Sequence, residues 1–103
     1  VTRIAVIGAG SWGTTAAALA ARDAATVLWS RRQDVADHIN REHRNPIYMP
    51  EQPLPDGLLA TADLGEAVEG ATAVIMAVPS HGFRDVYTRA ASAIDSRVPI
   101  LSL

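Results

Sequence analysis

The sequence predicts an α/β domain: an open, doubly wound parallel sheet of about five strands with helices on both faces. Three observations carry this. Strand-like and helix-like segments alternate along the whole chain. The strand-like runs are continuously apolar, as strands covered on both faces are. The first of them leads into Gly8-Ala9-Gly10-Ser11-Trp12-Gly13 and then an alanine-rich helical stretch.

Arg3-Ile4-Ala5-Val6-Ile7 is the first strand. Beyond the glycines, Thr14–Arg22 is a helix of small residues that can approach a sheet closely. Asp23-Ala24-Ala25 connects it to the β-branched and aromatic run Thr26-Val27-Leu28-Trp29-Ser30, completing a β-α-β unit with Trp29 in the core. The spacing of Val35, Ala36 and Ile39 predicts a helix over Gln33–Glu42, with Asp34, Asp37, His38 and Arg41 outward. Ser30 either opens that helix in a capping box with Gln33 or is the last residue of the strand. His43–Gly57 holds four prolines and reads as an irregular loop of about fifteen residues, a length often associated with function. Leu58–Thr61 is a short strand, and Asp63-Leu64-Gly65-Glu66 is a capping box opening a helix to Glu69. Ala73–Val78 is a strand, Ser80–Ile94 a loop and helix, and Pro99–Leu103 a last strand. That strand looks cut near its carboxyl end, so residues 1–103 are expected to be one incomplete domain of a longer molecule.

Composition narrows the chemistry. With 103 residues, 49% hydrophobic and 19% charged, the chain has enough apolar surface for one core. A net charge of −2 gives no reason to expect nucleic acid. No apolar run is long enough to span a bilayer and no leader pattern opens the chain, so a soluble, cytoplasmic domain is expected. There is no cysteine, hence no disulfide or thiolate chemistry, and all nine basic residues are arginine, hence no Schiff base or P-loop lysine.

The pattern Gly8-x-Gly10-x-x-Gly13 between strand and helix predicts a dinucleotide site. Gly8 permits the tight turn, Gly10 lets a pyrophosphate approach the backbone, and Gly13 lets helix and strand pack closely. The helix N-terminus adds unpaired N–H groups. The second strand ends in Trp29-Ser30-Arg31-Arg32 with no acid before Asp34. Two guanidinium groups at the position that selects the cofactor predict NADP as the preferred dinucleotide, with NAD also usable. One arginine would stack on adenine and the other meet the 2′-phosphate, and the sequence does not assign which. Spacing alone leaves Trp12 open between stapling the sheet and meeting a ligand. Val78-Pro79-Ser80 follows the fourth strand, either as a helix cap or on the edge where the nicotinamide half would extend.

Other groupings are weaker. Ser80, His81 and Asp85 lack the spacing of a nucleophile elbow, and Ser80 is placed to cap the next helix. His38, His43 and His81 have no metal-ligand spacing and read as surface histidines. Asp85 and Arg89 form a surface pair four residues apart, worth a few tenths of a kcal/mol.

Gly-Ala-Gly-Ser-Trp-Gly-Thr at 8–14, Leu28-Trp29-x-Arg31, Ile39-Asn40-x-x-His43-x-Asn45-x-x-Tyr48-x-Pro50, Ala60-Thr61-x-Asp63-Leu64, Ala77-Val78-Pro79-Ser80 and Leu101-Ser102-Leu103 stand in one order along the chain. Together they resemble bacterial NAD(P)-dependent glycerol-3-phosphate dehydrogenase. The resemblance implies the N-terminal Rossmann domain of an enzyme that reduces dihydroxyacetone phosphate to sn-glycerol 3-phosphate for phospholipid synthesis. It implies cofactor contacts at Ser11, Trp12, Arg31, Arg32 and Tyr48, beside those expected at Gly8, Gly10, Gly13 and Pro79. The family's lysines, one after the Ser-Leu pair and a catalytic one in a helical C-terminal domain, have no counterpart here, so the segment alone is expected to be inactive. A homodimer is compatible with the resemblance. Arg22-Asp23-Ala24-Ala25 is one residue shorter than the family pattern and lacks its glycine, and Met49 stands for a usual leucine. An opine- or ketopantoate-type dehydrogenase, or a non-catalytic dinucleotide-sensing module, are the alternatives.

Overall fold

Apolar runs short enough to be strands, separated by helices long enough to cross back, produce a layered sheet. The computed structural model describes residues 2–103. In chain order the elements are β1 (Arg3–Ile7), α1 (Ser11–Ala21), β2 (Ala25–Trp29), α2 (Gln33–Glu42), β3 (Leu59–Thr61), α3 (Leu64–Val68), β4 (Ala73–Met76), α4 (Ser80–Ala91) and β5 (Ile100–Ser102). All pairings are parallel, and the strand order is β3-β2-β1-β4-β5. The chain therefore walks outward from β1 to β3, returns across the sheet, and continues beyond β1 on the other side. That reversal makes the carboxyl ends of β1 and β4 a topological switch point, where open α/β sheets bind ligands.

The two faces are sorted by strand alternation. Ala5, Ile7, Val27 and Trp29 pack with Ala67 and Val68 of α3 and Val86 and Ala90 of α4. Val6 and Leu28 pack with Ala17 of α1 and Val35, Ala36 and Ile39 of α2. The predicted helices on both faces are thus present, as is the inward stripe of α2. Each fully buried valine, leucine or isoleucine among them contributes about 1.5–3 kcal/mol relative to exposure.

Helix ends differ from expectation in several places. Ser30 extends the sheet, its N–H donating to the Thr61 carbonyl at 2.9 Å, while its Oγ accepts from Arg32 N at 3.2 Å. It closes no box with Gln33, and Arg32 is the N-cap of α2 without a side-chain cap bond. Asp63 does accept from Glu66 N at 3.0 Å. Its own N–H is taken by Thr61 Oγ1 at 3.0 Å, so the return arm of that box is not made. Ser80 is the first residue of α4, and its N-cap is Pro79, with no side-chain cap bond. Leu58 closes a turn onto the Pro55 carbonyl at 3.0 Å, and β3 starts one residue later.

The shortened connection after α1 needs no glycine. Arg22 caps the helix in the right-handed region, and Asp23 and Ala24 both donate to the Ala20 carbonyl, at 3.1 and 3.0 Å. Ala25 then enters β2 opposite Arg3. Among the described residues no helix is long and apolar enough to cross a membrane.

Candidate functional site

The glycines of the first turn have three different reasons to be glycine. Gly8 has φ +119°, and a Cβ there would lie 2.6 Å from the Ala77 carbonyl oxygen. It is the point where the ends of β1 and β4 touch. A Cβ on Gly13 would sit 1.7 Å from the Gly8 carbonyl oxygen, so α1 rests directly on the turn. Around Gly10 no atom lies within 4 Å of such a Cβ. Internal packing demands glycine at 8 and 13. At 10 the backbone faces open space at the N-terminus of an eleven-residue helix that no side chain caps. A cradle that a side chain would fill, beneath the free N–H groups of a first helical turn, fits a phosphate group.

Three adjoining cavities run along this edge. The largest, about 460 Å³, is lined by Gly10, Ser11, Trp12, Tyr48, Ala77, Val78, Pro79, Ser80 and Leu103. A narrower one of about 150 Å³ lies over Gly8–Gly10 between Arg31 and the Ala77–Pro79 segment, with His81 and Gly82 at its rim. A third, of about 330 Å³, is bounded by Ala9, Ser30, Arg31, Arg32, Val35, Ile47 and Tyr48. Tyr48 borders all three. All nine residues singled out in the sequence therefore meet on one edge of the sheet.

Their environments are not equal. Trp12 is 78% exposed, so it does not staple the sheet; Trp29 is buried and donates its Nε1–H to the Ala62 carbonyl at 3.0 Å. Arg32 is engaged with Asp34, through Nε to Oδ1 at 3.0 Å and Nη2 to Oδ2 at 2.6 Å. Arg31 has no acidic partner among the described residues and leans over Gly82, where a Cβ would stand 3.1 Å from its Nη2. The hydrogen bond from Arg32, aided by its charge, holds the Asp34 carboxyl below the usual carboxylate range. The same contact raises the Arg32 guanidinium further above its ordinary value.

The proline-rich loop reaches this edge because it is tethered. His43 ends α2 in the left-handed region at φ 56°, and its carbonyl accepts from Leu54 N at 2.8 Å, folding the loop back over the buried Leu54. His43 is accordingly no plain surface histidine: its Nδ1 is buried without a partner among the described residues. Asn45 is fully buried, and Met49, at φ 61°, places its sulfur 3.4 Å from Thr15 Oγ1. The sequence assigns no role to Asn45, Ala77 or Gly82. For Asn45 the Asn-Pro pair was a usable turn signal. Ala77 and Gly82 act through backbone or missing atoms, which leave no side-chain signature.

Comparison with known proteins agrees with this geometry. A family model described as NAD-dependent glycerol-3-phosphate dehydrogenase N-terminus matches residues 3–103. The chain is 46% identical over 101 residues to glycerol-3-phosphate dehydrogenase [NAD(P)+] 2 of Sphingopyxis alaskensis, covering 98% of this chain and 30% of that protein. It is 54% identical over 82 residues to glycerol-3-phosphate dehydrogenase [NAD(P)+] of Stenotrophomonas maltophilia, covering 79% of this chain and 24% of that one. The crystal structure of glycerol-3-phosphate dehydrogenase from Coxiella burnetii superposes with a TM-score of 0.90 at 39% identity, over 98% of this chain and 31% of that one. The chain thus spans less than a third of the length of these relatives.

Proposed function

The chain belongs to the NAD-dependent glycerol-3-phosphate dehydrogenase N-terminus family, and we propose that it is the dinucleotide-binding part of an enzyme reducing dihydroxyacetone phosphate to sn-glycerol 3-phosphate. The observation that carries this reading is the open space over Gly10, set between two glycines that packing alone explains. In this reading the backbone N–H groups of Ser11, Trp12 and Gly13 hold the pyrophosphate. Arg31 meets a 2′-phosphate, and the cavity beside Arg32 and Ile47 takes the adenosine half. Tyr48, Pro79 and Trp12 flank the nicotinamide half in the largest cavity. NADPH is then preferred over NADH.

The reduced dinucleotide, when bound, supplies a hydride to the ketone carbon. The contribution of this chain is to bind it, orient it, and shield one side of the cleft with Trp12 and Val78. The chain holds no lysine, so we place the proton donor and the groups that hold the substrate phosphate in the part of the relatives' length that it does not span. Residues 1–103 alone then bind dinucleotide weakly and turn nothing over, and the whole enzyme works in the cytoplasm.

The test follows nicotinamide absorbance in the full-length protein with dihydroxyacetone phosphate, NADPH against NADH. Oxidation of NADPH dependent on the ketone is the expected result. Dinucleotide binding without turnover would overturn the substrate and return the question to an opine-type dehydrogenase or a sensing module.

A further inference from the structure

The side chain of Asn45 is fully buried and uses all of its hydrogen-bonding capacity. Its Nδ2 donates to the Ala9 carbonyl and to Thr14 Oγ1, both at 2.9 Å. Its Oδ1 accepts from Ile47 N and Tyr48 N, both at 3.0 Å. The partners fix which atom is which, because a carbonyl cannot face Oδ1 and two N–H groups cannot face Nδ2. One amide therefore joins the phosphate loop to the backbone of Tyr48, across 36 residues of sequence between Asn45 and Ala9. Tyr48 is the residue that borders all three cavities, yet it is 45% exposed. The bond from its N–H to Asn45 fixes the backbone from which that ring projects.

We propose that Asn45 is a positioning residue for dinucleotide binding, holding the Ile47–Tyr48 backbone at a set distance from the phosphate loop so that Tyr48 is presented to the cleft before the ligand arrives. This rests on the dinucleotide reading above. A site whose competent form is populated only in part loses apparent affinity by that fraction. Asn45→Ala releases the loop, leaving the Ala9 carbonyl and two backbone N–H groups without their partner. Asn45→Asp is the finer probe. It keeps the two acceptor bonds but turns an oxygen toward the Ala9 carbonyl, and only its protonated form can donate there.

The experiment measures NADPH binding to the full-length protein for wild type, Asn45→Ala, Asn45→Asp, Tyr48→Ala and the Asn45→Ala/Tyr48→Ala double variant, with folding checked by thermal melting. Asn45→Ala is expected to weaken binding about tenfold, and less than about twofold when Tyr48 is already alanine. Asn45→Asp is expected to bind weakly at pH 8 and recover toward pH 5 relative to wild type, measured at temperatures where melting shows the variant folded at both pH values. Should Asn45→Ala not fold, the Asn45→Asp profile decides. Folded variants with unchanged affinity, or effects of Asn45→Ala and Tyr48→Ala that simply add, overturn the proposal and leave the dinucleotide reading standing. A wild-type protein that binds no dinucleotide overturns both.

Discussion

Arg32 and Asp34 hold each other in a two-point contact, at 3.0 and 2.6 Å, beside an arginine with no such partner among the described residues. The pair is exposed and so contributes little to stability. Its consequence is for recognition: of the two guanidinium groups beside the cavity bounded by Ser30, Ile47 and Tyr48, one is already engaged, and the other, Arg31, has no acidic partner among the described residues. Arg31→Ala is therefore expected to weaken NADPH binding about tenfold or more and NADH binding hardly at all. Arg32→Ala should cost NADPH only about two- to threefold. Titration of both variants with both dinucleotides checks the order, and a larger effect at Arg32 would reverse the assignment.

The same contact has a pH signature. The hydrogen bond from Arg32 lowers the Asp34 carboxyl below its ordinary value. A lowered value in the folded state means that the pair's contribution is present above the unfolded carboxylate value and disappears as pH falls through the lower, folded one. The contact should thus survive mild acidification. A carboxyl-resolved NMR titration should place Asp34 below the usual carboxylate range in the wild type and return it upward in Arg32→Ala. Asp34→Asn should release Arg32 and tighten NADPH binding by about two- to threefold.

Gly10 and Gly13 should separate binding from folding. A Cβ at 13 meets the Gly8 carbonyl oxygen at 1.7 Å, a collision with backbone that must displace α1. Gly13→Ala is expected to destabilise the fold by about 3 kcal/mol or more, read in thermal melting. Gly10 has φ −77° and an unobstructed Cβ position, so Gly10→Ala should melt within about 1 kcal/mol of wild type. It should nevertheless lose dinucleotide affinity by about tenfold or more, because the added methyl stands where the phosphate would approach. Equal losses of stability in both variants would remove the distinction.

The outer edge of the sheet depends on Asn40. From α2 its side chain donates through Nδ2 to the Ala60 carbonyl and accepts at Oδ1 from Ala60 N, both at 2.8 Å. It thereby pairs with the outer backbone of β3 as another strand would. Asn40→Ala is expected to cost about 1–3 kcal/mol and to speed amide exchange at Ala60. Unchanged exchange at Ala60 would show that the edge is held by something else.

Much of this molecule was legible from its residues because it is locally encoded. Continuous apolar runs specified buried strands, and the bounds of α2 followed from Val35, Ala36 and Ile39. The glycine pattern specified the tight turn between β1 and α1. The caps were less legible, since Ser30 and Ser80 look like caps wherever they precede a helix. Their actual partners depend on the sheet beside Ser30 and on Pro79 preceding α4.

By itself the sequence determined the order of strands and helices, the turn at Gly8–Gly13, and the presence of two arginines after β2. These depend on propensity, periodicity and the lack of a side chain, all of which act within a few residues. Only the tertiary structure decided that Gly10 alone of the three glycines faces open space, and that Asn45 ties the Tyr48 loop to Ala9. It also decided which arginine is free: the Arg32–Asp34 spacing was visible in the sequence, but its geometry was not. A hydrogen bond or a collision depends on where two separately folded segments come to lie, and that is settled when the core packs.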